Sequence, residues 1–186
     1  MRPLFWIFSV LLAGAGAALA GLQDAPAPRA WIDGSEPGWK PLGQADFVNV
    51  NCRPDTWTWR GDSVACTGQP VGVIRSVRPY RNFELIAEWR HLRPAGNSGI
   101  FVWALEDSLR GLEPGKLPHG IEVQVLDNGY TEAYERQSGR KADWFTTHGD
   151  VFPVGRARMK PFPPVSPDGS RSFPRKRLSR SAGQWN

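Results

Sequence analysis

The 186-residue chain has only two cysteines and three histidines, and beyond its leader it has no long stretch with helical periodicity. Two thiols are too few for a metal site built from cysteine alone, and no His/Cys/Asp spacing forms a strong metal signature. The lack of helical periodicity and of internal repeats argues against a helical bundle. Metal-centred and all-helical proteins are therefore not predicted.

The chain also lacks a general excess of basic residues, although its formal net charge is +5. Eight Lys/Arg and a single acid, Asp168, lie from Arg156 onward, so that segment carries +7 and the remainder carries −2. Because the basic excess is confined to this late segment, the rest of the domain does not have the basic composition that is typical of nucleic-acid binding. No nucleic-acid partner is predicted, and the tripeptide at 175–177 is interpreted as a solvated loop.

No apolar run is long enough to span a membrane, and the one at the N-terminus has the features of a secretory signal. Residues 1–20 combine a positive start at Arg2, an apolar run over 4–18 and a small-x-small cleavage site ending at Ala20. Residues 21–30 read as a Pro/Ala-rich linker. We therefore expect a secreted or periplasmic protein with one domain over 31–186 and no stable membrane insertion after cleavage.

What the chain does have is nine Trp and nine Phe among 20 Gly and 17 Pro, a composition typical of short strands joined by turns. One predicted hairpin has arms at 57–59 and 64–65 and its turn at Gly61-Asp62. In an exported protein, Cys52 and Cys66 would be candidates for a disulfide that joins the outer ends of this hairpin. Two free thiols are the alternative.

Three runs of β-branched and aromatic residues predict strands over 83–90, 100–104 and 120–127. Side chains alternate between the two faces of a strand, so each run has an apolar and a polar face. The apolar faces carry Phe83, Leu85, Ala87 and Trp89 in the first run and Ile121, Val123 and Val125 in the third. The polar face, which is the candidate site, carries Glu88, Arg90, Glu122 and Gln124.

Several short motifs follow one another in a characteristic order between residues 72 and 186. They are Gly72-Val-Ile-Arg75 with Tyr80, Asn82-Phe-Glu-Leu85, Glu88-Trp-Arg90, Gly96-Asn-Ser-Gly-Ile-Phe101, Gly120-Ile-Glu-Val-Gln-Val-Leu-Asp127, Thr147-His-Gly-Asp150 and Gly183-Gln-Trp-Asn186. In this order and spacing the sequence resembles the 3-keto-disaccharide hydrolase domain family. The resemblance implies an all-β, concanavalin A-like jelly-roll sandwich of two antiparallel sheets, with sugar bound on the concave sheet.

The sequence departs from the family at its end. In the family the Trp-Asn motif leads into further strands, whereas this sequence stops at Asn186. We therefore expect a truncated domain that lacks its last strands and exposes sheet edges. A partner that supplies the strands is the alternative.

The implied activity is cleavage of 3-keto-glycosides such as 3-keto-disaccharides. A ketone at C3 acidifies the hydrogen on C2, so a base can remove it, the glycosidic oxygen can leave C1, and water can then add. The predicted catalytic residues are Glu122 or His148 as base and Glu88 or His148 as acid. Arg90 would stabilise the enolate, and a divalent metal ion is the alternative in that role. The predicted substrate-binding residues are Arg90, Gln124, Asn97, Trp103 and Asp127.

An ordinary glycosidase would need two carboxyl groups beside the scissile bond. Strand 120–127 supplies one on its polar face, since Gln124 is an amide, and this favours the elimination chemistry. Structural interpretations remain for each residue: Glu88, Arg90 and Glu122 as cross-strand ion pairs, Trp103 as core, and Asn97 and Asp127 as turn residues. Alternative functions are a non-catalytic, lectin-like sugar-binding module and an envelope-associated domain whose basic tail contacts an anionic surface.

The late part of the chain is predicted to be irregular. Residues 129–141 read as a long loop, with at most a helical turn. Residues 151–182 read as a loop rich in proline and basic residues that would wall the sugar cleft. Disorder over 164–180 is the alternative. Aromatic residues that would pin this loop are Trp144, Phe145, Phe152 and Phe162.

Overall fold

The computed structural model describes residues 32–186, so the predicted leader and linker lie outside the described residues. Within this range none of the helices is both long and apolar enough to cross a membrane. The elements are a 3-10 turn Gln44–Asp46, β1 Phe47–Asn49, β2 Trp57–Arg60, β3 Ser63–Cys66, β4 Ile74–Ser76, β5 Asn97–Val102, α1 Glu106–Leu109, β6 Gly120–Leu126, α2 Tyr130–Ser138 and β7 Val151–Val154.

All strand pairings are antiparallel. Strand β1 pairs with β4, β2 pairs with β3, and β5, β6 and β7 form a three-stranded sheet with β6 in the centre. Strands dominate and the two helices are short, so the all-β class predicted from composition is confirmed.

The predicted hairpin is present, but the predicted disulfide is wrong. Cys66 lies at the end of β3 opposite Trp57, which leaves Cys52 outside the hairpin ladder. The Cys52 thiol instead faces the carbonyl of Val73 at 3.7 Å, and its backbone amide donates to the side chain of Asn49. Both cysteines are free thiols, with Cys52 half-buried and Cys66 exposed.

The segment 83–90 does not form a strand within the described residues, which corrects the sequence-based prediction. Among residues 32–186, its only ladder-like contact is a reciprocal backbone pair between Trp89 and Asn186, at 3.0 and 2.9 Å. Its predicted core face is open, with Phe83 and Leu85 at 41% and 47% exposure. A strand needs a neighbour that accepts and donates its backbone hydrogen bonds, and in the described part of the chain this segment has one only at its end.

The β5–β6–β7 sheet positions the candidate site. Phe101 lies opposite Glu122 and Gly99 opposite Gln124 across β5 and β6, and Phe152 lies opposite Glu122 across β6 and β7. Facing residues of an antiparallel pair share one side of the sheet, so Glu122 and Gln124 lie on one face together with Gly99, Phe101 and Phe152. The apolar face is partly closed, with Ile121 and Val125 buried.

Helix α2 replaces the loop that was predicted after residue 129. Its residues are mostly polar, and the rings of Tyr130 and Tyr134, one turn apart, pack against the buried ring of Phe145 in the segment before β7, at 5.9 and 5.1 Å. The helix ends at Gly139, whose φ of 67° gives the left-handed cap that glycine favours.

The late segment is folded onto β7. Ser172 exchanges both backbone hydrogen bonds with Val151 and also bridges to Val165. Ser172 and Arg171 are consequently buried. The segment therefore packs against β7, although Phe162 is 56% exposed and does not anchor it. That it walls a sugar cleft stays a prediction.

Candidate functional site

Glu122 is a buried carboxyl in the centre of the polar face. The residue is 8% exposed, in the middle strand of the sheet. Its carboxyl group lies over the backbone of Gly99, where an added Cβ would overlap the Glu122 oxygen. Burial raises the pKa of Glu122 to about 7, and the positive charge of Arg171 opposes part of this rise. A carboxyl group with this pKa can both accept and return a proton near neutral pH.

The absence of a side chain at Gly99 is required for this placement. We expect Gly99→Ala to displace the Glu122 carboxyl and to lower kcat/KM by about 10²-fold, because small misplacements of a reacting group are costly. The measurement is kcat/KM together with the melting temperature. Gly43→Ala is the matched control, since its φ is −125° and an added Cβ meets no heavy atom within 4 Å. Equal kinetics for both variants would refute the placement.

The buried Glu122 carboxylate also makes stability depend on pH. Its pKa rises from 4.5 to about 7 on folding, so between these values the folded protein binds a proton that the unfolded chain releases. The free energy of unfolding therefore falls as the pH rises through this window, and the loss is complete above pH 7. Glutamine has no charge to desolvate. We expect Glu122→Gln to raise the melting temperature relative to the natural protein more at pH 8 than at pH 4. A pH-independent difference would contradict this.

A β-bulge reshapes the polar face beside Glu122. Gln124 receives a hydrogen bond from the amide of Gly149 and donates its own amide to the carbonyl of Asp150, so two residues oppose one. Gly149 has a φ of +86°, which favours glycine, and an added Cβ would meet the ring of Pro174 at 3.3 Å. The bulge turns Asp150 toward the polar face.

Asp150 is completely buried and fully engaged. Its carboxylate accepts hydrogen bonds from the backbone amide and the hydroxyl of Thr146. It also pairs with Arg171 at 3.4 Å. A buried carboxylate is tolerated only with such partners, so Asp150 and Arg171 stabilise one another within the site.

The Arg171 guanidinium is enclosed by aromatic rings. It lies over the ring of Phe152 at 4.1 Å and that of Trp144 at 4.6 Å. Because Phe152 lies opposite Glu122 across β6 and β7, Arg171 lies on the same face of the sheet as the buried Glu122 carboxyl group. Its Nε is buried and makes no hydrogen bond within residues 32–186.

Three of the predicted substrate-binding residues lie on or beside β6. The Gln124 amide nitrogen donates to the side chain of Asn97 at 3.2 Å and to the carbonyl of Ser98 at 3.0 Å, so the structure brings Gln124 and Asn97 together. Asp127 is engaged in a turn, where one oxygen accepts from the amides of Ala95 and Gly129. Its second oxygen is buried without a partner in the described part of the chain.

The residues predicted from segment 83–90 are not brought to Glu122 by a strand ladder. Glu88 is exposed and has no hydrogen bond or ion pair within residues 32–186, which argues against the predicted ion pair. Arg90 stacks over the ring of Trp185 at 4.9 Å.

Trp103 follows β5 and is 67% exposed rather than core, with a left-handed φ of 50°. It borders a shallow recess of about 420 Å³ with Arg81, Asn82, Phe83 and Val102.

His148 lies beyond the bulge. The carbonyl of its neighbour Thr147 accepts from Leu126, which places His148 about 10 Å along the strand from Glu122 at the usual rise per residue. Its ring packs against Trp89 at 5.4 Å. Burial lowers the pKa of His148, Asp150 opposes this change, and Arg177 adds to it. The lowered pKa disfavours the protonated imidazole, which makes His148 less suited to the predicted role of acid.

Two residues of the site were missed from the sequence. Arg171 was counted only as part of a basic segment, and Asp150 only as the last residue of the motif Thr147-His-Gly-Asp150. The sequence His148-Gly-Asp150 contains the glycine that a bulge of this kind requires, and this signal could have located Asp150. No local pattern around Arg171 indicates burial.

Residues 32–186 contain no group of three or more His, Cys, Asp or Glu side chains arranged to hold a metal ion. The divalent ion considered as an alternative to Arg90 thus has no ready set of ligands in this part of the chain.

Comparison with known proteins identifies the domain. The family model of the 3-keto-alpha-glucoside-1,2-lyase-like domain matches residues 29–186. No curated protein and no solved structure is significantly similar to the chain. The match spans most of the chain and includes every element of the site, and the family has the concanavalin A-like fold. The chain therefore belongs to the 3-keto-alpha-glucoside-1,2-lyase-like domain family.

Proposed function

We propose that this protein cleaves 3-keto-glycosides by removing the C2 proton, eliminating the C1 substituent and adding water. The observation that carries the proposal is Glu122, a carboxyl group with a pKa of about 7 on the polar face of the sheet. The family match supports a sugar substrate of this class.

In the proposed reaction the Glu122 carboxylate accepts the hydrogen from C2, and the electron pair moves toward the C3 ketone to give an enolate. The enolate then re-forms the ketone while the bond between C1 and the glycosidic oxygen breaks. That oxygen takes the proton from Glu122, which can release it because its pKa is near neutral. This transfer restores the Glu122 carboxylate. Water then adds to the C1–C2 double bond, with its hydroxyl on C1 and its hydrogen on C2, and gives the free 3-keto sugar.

One carboxyl group is enough for this sequence of steps. The neighbouring position on the same face, Gln124, has no proton to exchange, and no second carboxyl group is paired with Glu122 in the described residues. Direct glycoside hydrolysis needs two carboxyl groups in defined separation. The composition of the face thus favours elimination over direct displacement.

Sugar hydroxyls would be held by the linked amides of Gln124 and Asn97 at one end of β5 and β6. Trp103, which lies past the other end of β5, offers an exposed ring for the apolar face of a pyranose. We propose that the protein acts after export, as its leader predicts.

The test compares a 3-keto-glucoside with the corresponding unoxidised glucoside. We expect turnover of the oxidised substrate alone. Cleavage of both at similar rates would indicate an ordinary glycosidase. Saturable binding without turnover of either would indicate a lectin-like module instead.

A further inference from the structure

Arg171, the buried arginine of the late segment, is held by two aromatic rings in addition to its ion pair. Arg171 is 7% exposed, touches two aromatic rings and pairs with a carboxylate that is itself completely buried. Its backbone is fixed because the next residue, Ser172, bridges to both Val151 and Val165. A cation held this firmly presents its charge in one place without reorganisation.

That place is beside Glu122. Phe152, which Arg171 covers, is the direct neighbour of Glu122 across β6 and β7. Among the described residues, the neighbours of Glu122 on β5 are Gly99 and Phe101, which carry no charge. Asp150, which directly precedes β7, is a further charged group, and its carboxylate accepts a hydrogen bond from Thr146 and pairs with Arg171.

We propose that Arg171 is a positioning residue of the site, whose clamped guanidinium holds Glu122 in the ionised state that accepts a proton. A buried carboxyl group without a cation would stay protonated at neutral pH and could not act as a base. The positive charge of Arg171 lowers the pKa of Glu122 against the effect of burial. This inference rests on the proposed role of Glu122 as the base.

The role does not require Arg171 to touch the substrate. It assigns a function to the late segment, which is rich in proline and basic residues and wraps over β7. This segment supplies the positive charge that acts on Glu122. Arg90, which was predicted to stabilise the enolate, stacks on Trp185 and is not part of this arrangement.

The test measures the titration of Glu122 directly, by NMR of the side-chain carboxyl carbon in protein labelled at glutamate, with Glu122→Gln to assign the signal. The principal variant is the double change Arg171→Met with Asp150→Asn, which removes both charges and leaves no unpaired buried ion. We expect the pKa of Glu122 to rise by roughly 1 unit or more, because an opposite charge nearby has that effect. Arg171→Lys, which keeps the charge, should retain most of the original titration.

The acid limb of kcat/KM against pH should move to higher pH by the same amount in the double variant. An unchanged Glu122 titration in a folded double variant would overturn the inference, as would a rise of equal size in Arg171→Lys. If Glu122 is not the base, the titration still shifts but the pH profile does not. The failure of the proposed function is thus distinguishable from the failure of this inference.

Discussion

Replacing Glu122 by glutamine should reduce kcat/KM for a 3-keto-glucoside by roughly 10²–10⁴-fold, the usual contribution of a positioned acid or base. The amide has nearly the same shape and fits over Gly99, so the loss would report proton transfer rather than packing. The same variant is expected to be more stable than the natural protein at pH 8, because it no longer desolvates a charge. A loss of activity accompanied by a gain in stability identifies a residue retained for function.

The control for this prediction is Glu113→Gln, which makes the same chemical change on an exposed loop. The pH profile gives a second check. Since the ionised form of Glu122 is the base, kcat/KM of the natural protein should rise with pH through about 7. A profile that is flat from pH 5 to 9, or an active Glu122→Gln variant, would require another base.

Removing the Asp150 side chain should cause the largest loss of stability. Asp150→Ala leaves the Arg171 charge buried without its carboxylate partner. It also removes the acceptor of the hydrogen bonds from the backbone amide and the hydroxyl of Thr146. Breaking one side of a buried pair typically costs about 3–5 kcal/mol of unfolding free energy. Denaturant titration at pH 7.5 measures this difference.

Asp143→Ala is the matched control, since Asp143 is exposed and makes no hydrogen bond or ion pair within residues 32–186. It should change the unfolding free energy by less than about 0.5 kcal/mol. Similar losses for the two variants would mean that the Asp150 network contributes little to the fold.

The centre of the site could be predicted because it depends on local patterns. Alternation along β6 separated Glu122 and Gln124 from Ile121 and Val125, and the strand was located to within one residue. The hairpin of β2 and β3 followed equally from alternating residues around Gly61. Each of these patterns lies within one strand or one hairpin, so it can be recognised from the sequence alone.

Other parts depend on partners that are distant in sequence. Residues 97–99 read as a turn, yet they extend β5 because Leu126, Val125 and Gln124 lie opposite. Residues 83–90 have the alternation of a strand, but pairing is decided by a neighbour, and within the range that the structure describes they pair with one only at Trp89. Local propensity is a weak guide where the neighbouring strand decides.

Arg171 shows the same limit at the site itself. In the sequence it is one of several basic residues among prolines, a pattern typical of a solvated loop. Its burial results from the pairing of Ser172 with Val151 and from the rings of Trp144 and Phe152, which come from two other parts of the chain. Only the folded arrangement brings these groups together.

The most direct test of the proposed mechanism is the fate of the hydrogen on C2. A 3-keto-glucoside carrying deuterium at C2 should be cleaved more slowly than the unlabelled substrate, and the released 3-keto sugar should have lost that deuterium to the solvent by mass spectrometry. Substrate incubated with Glu122→Gln gives the background rate of exchange. Product that retains its C2 deuterium, formed at the unlabelled rate, would contradict elimination and the role of Glu122 as its base.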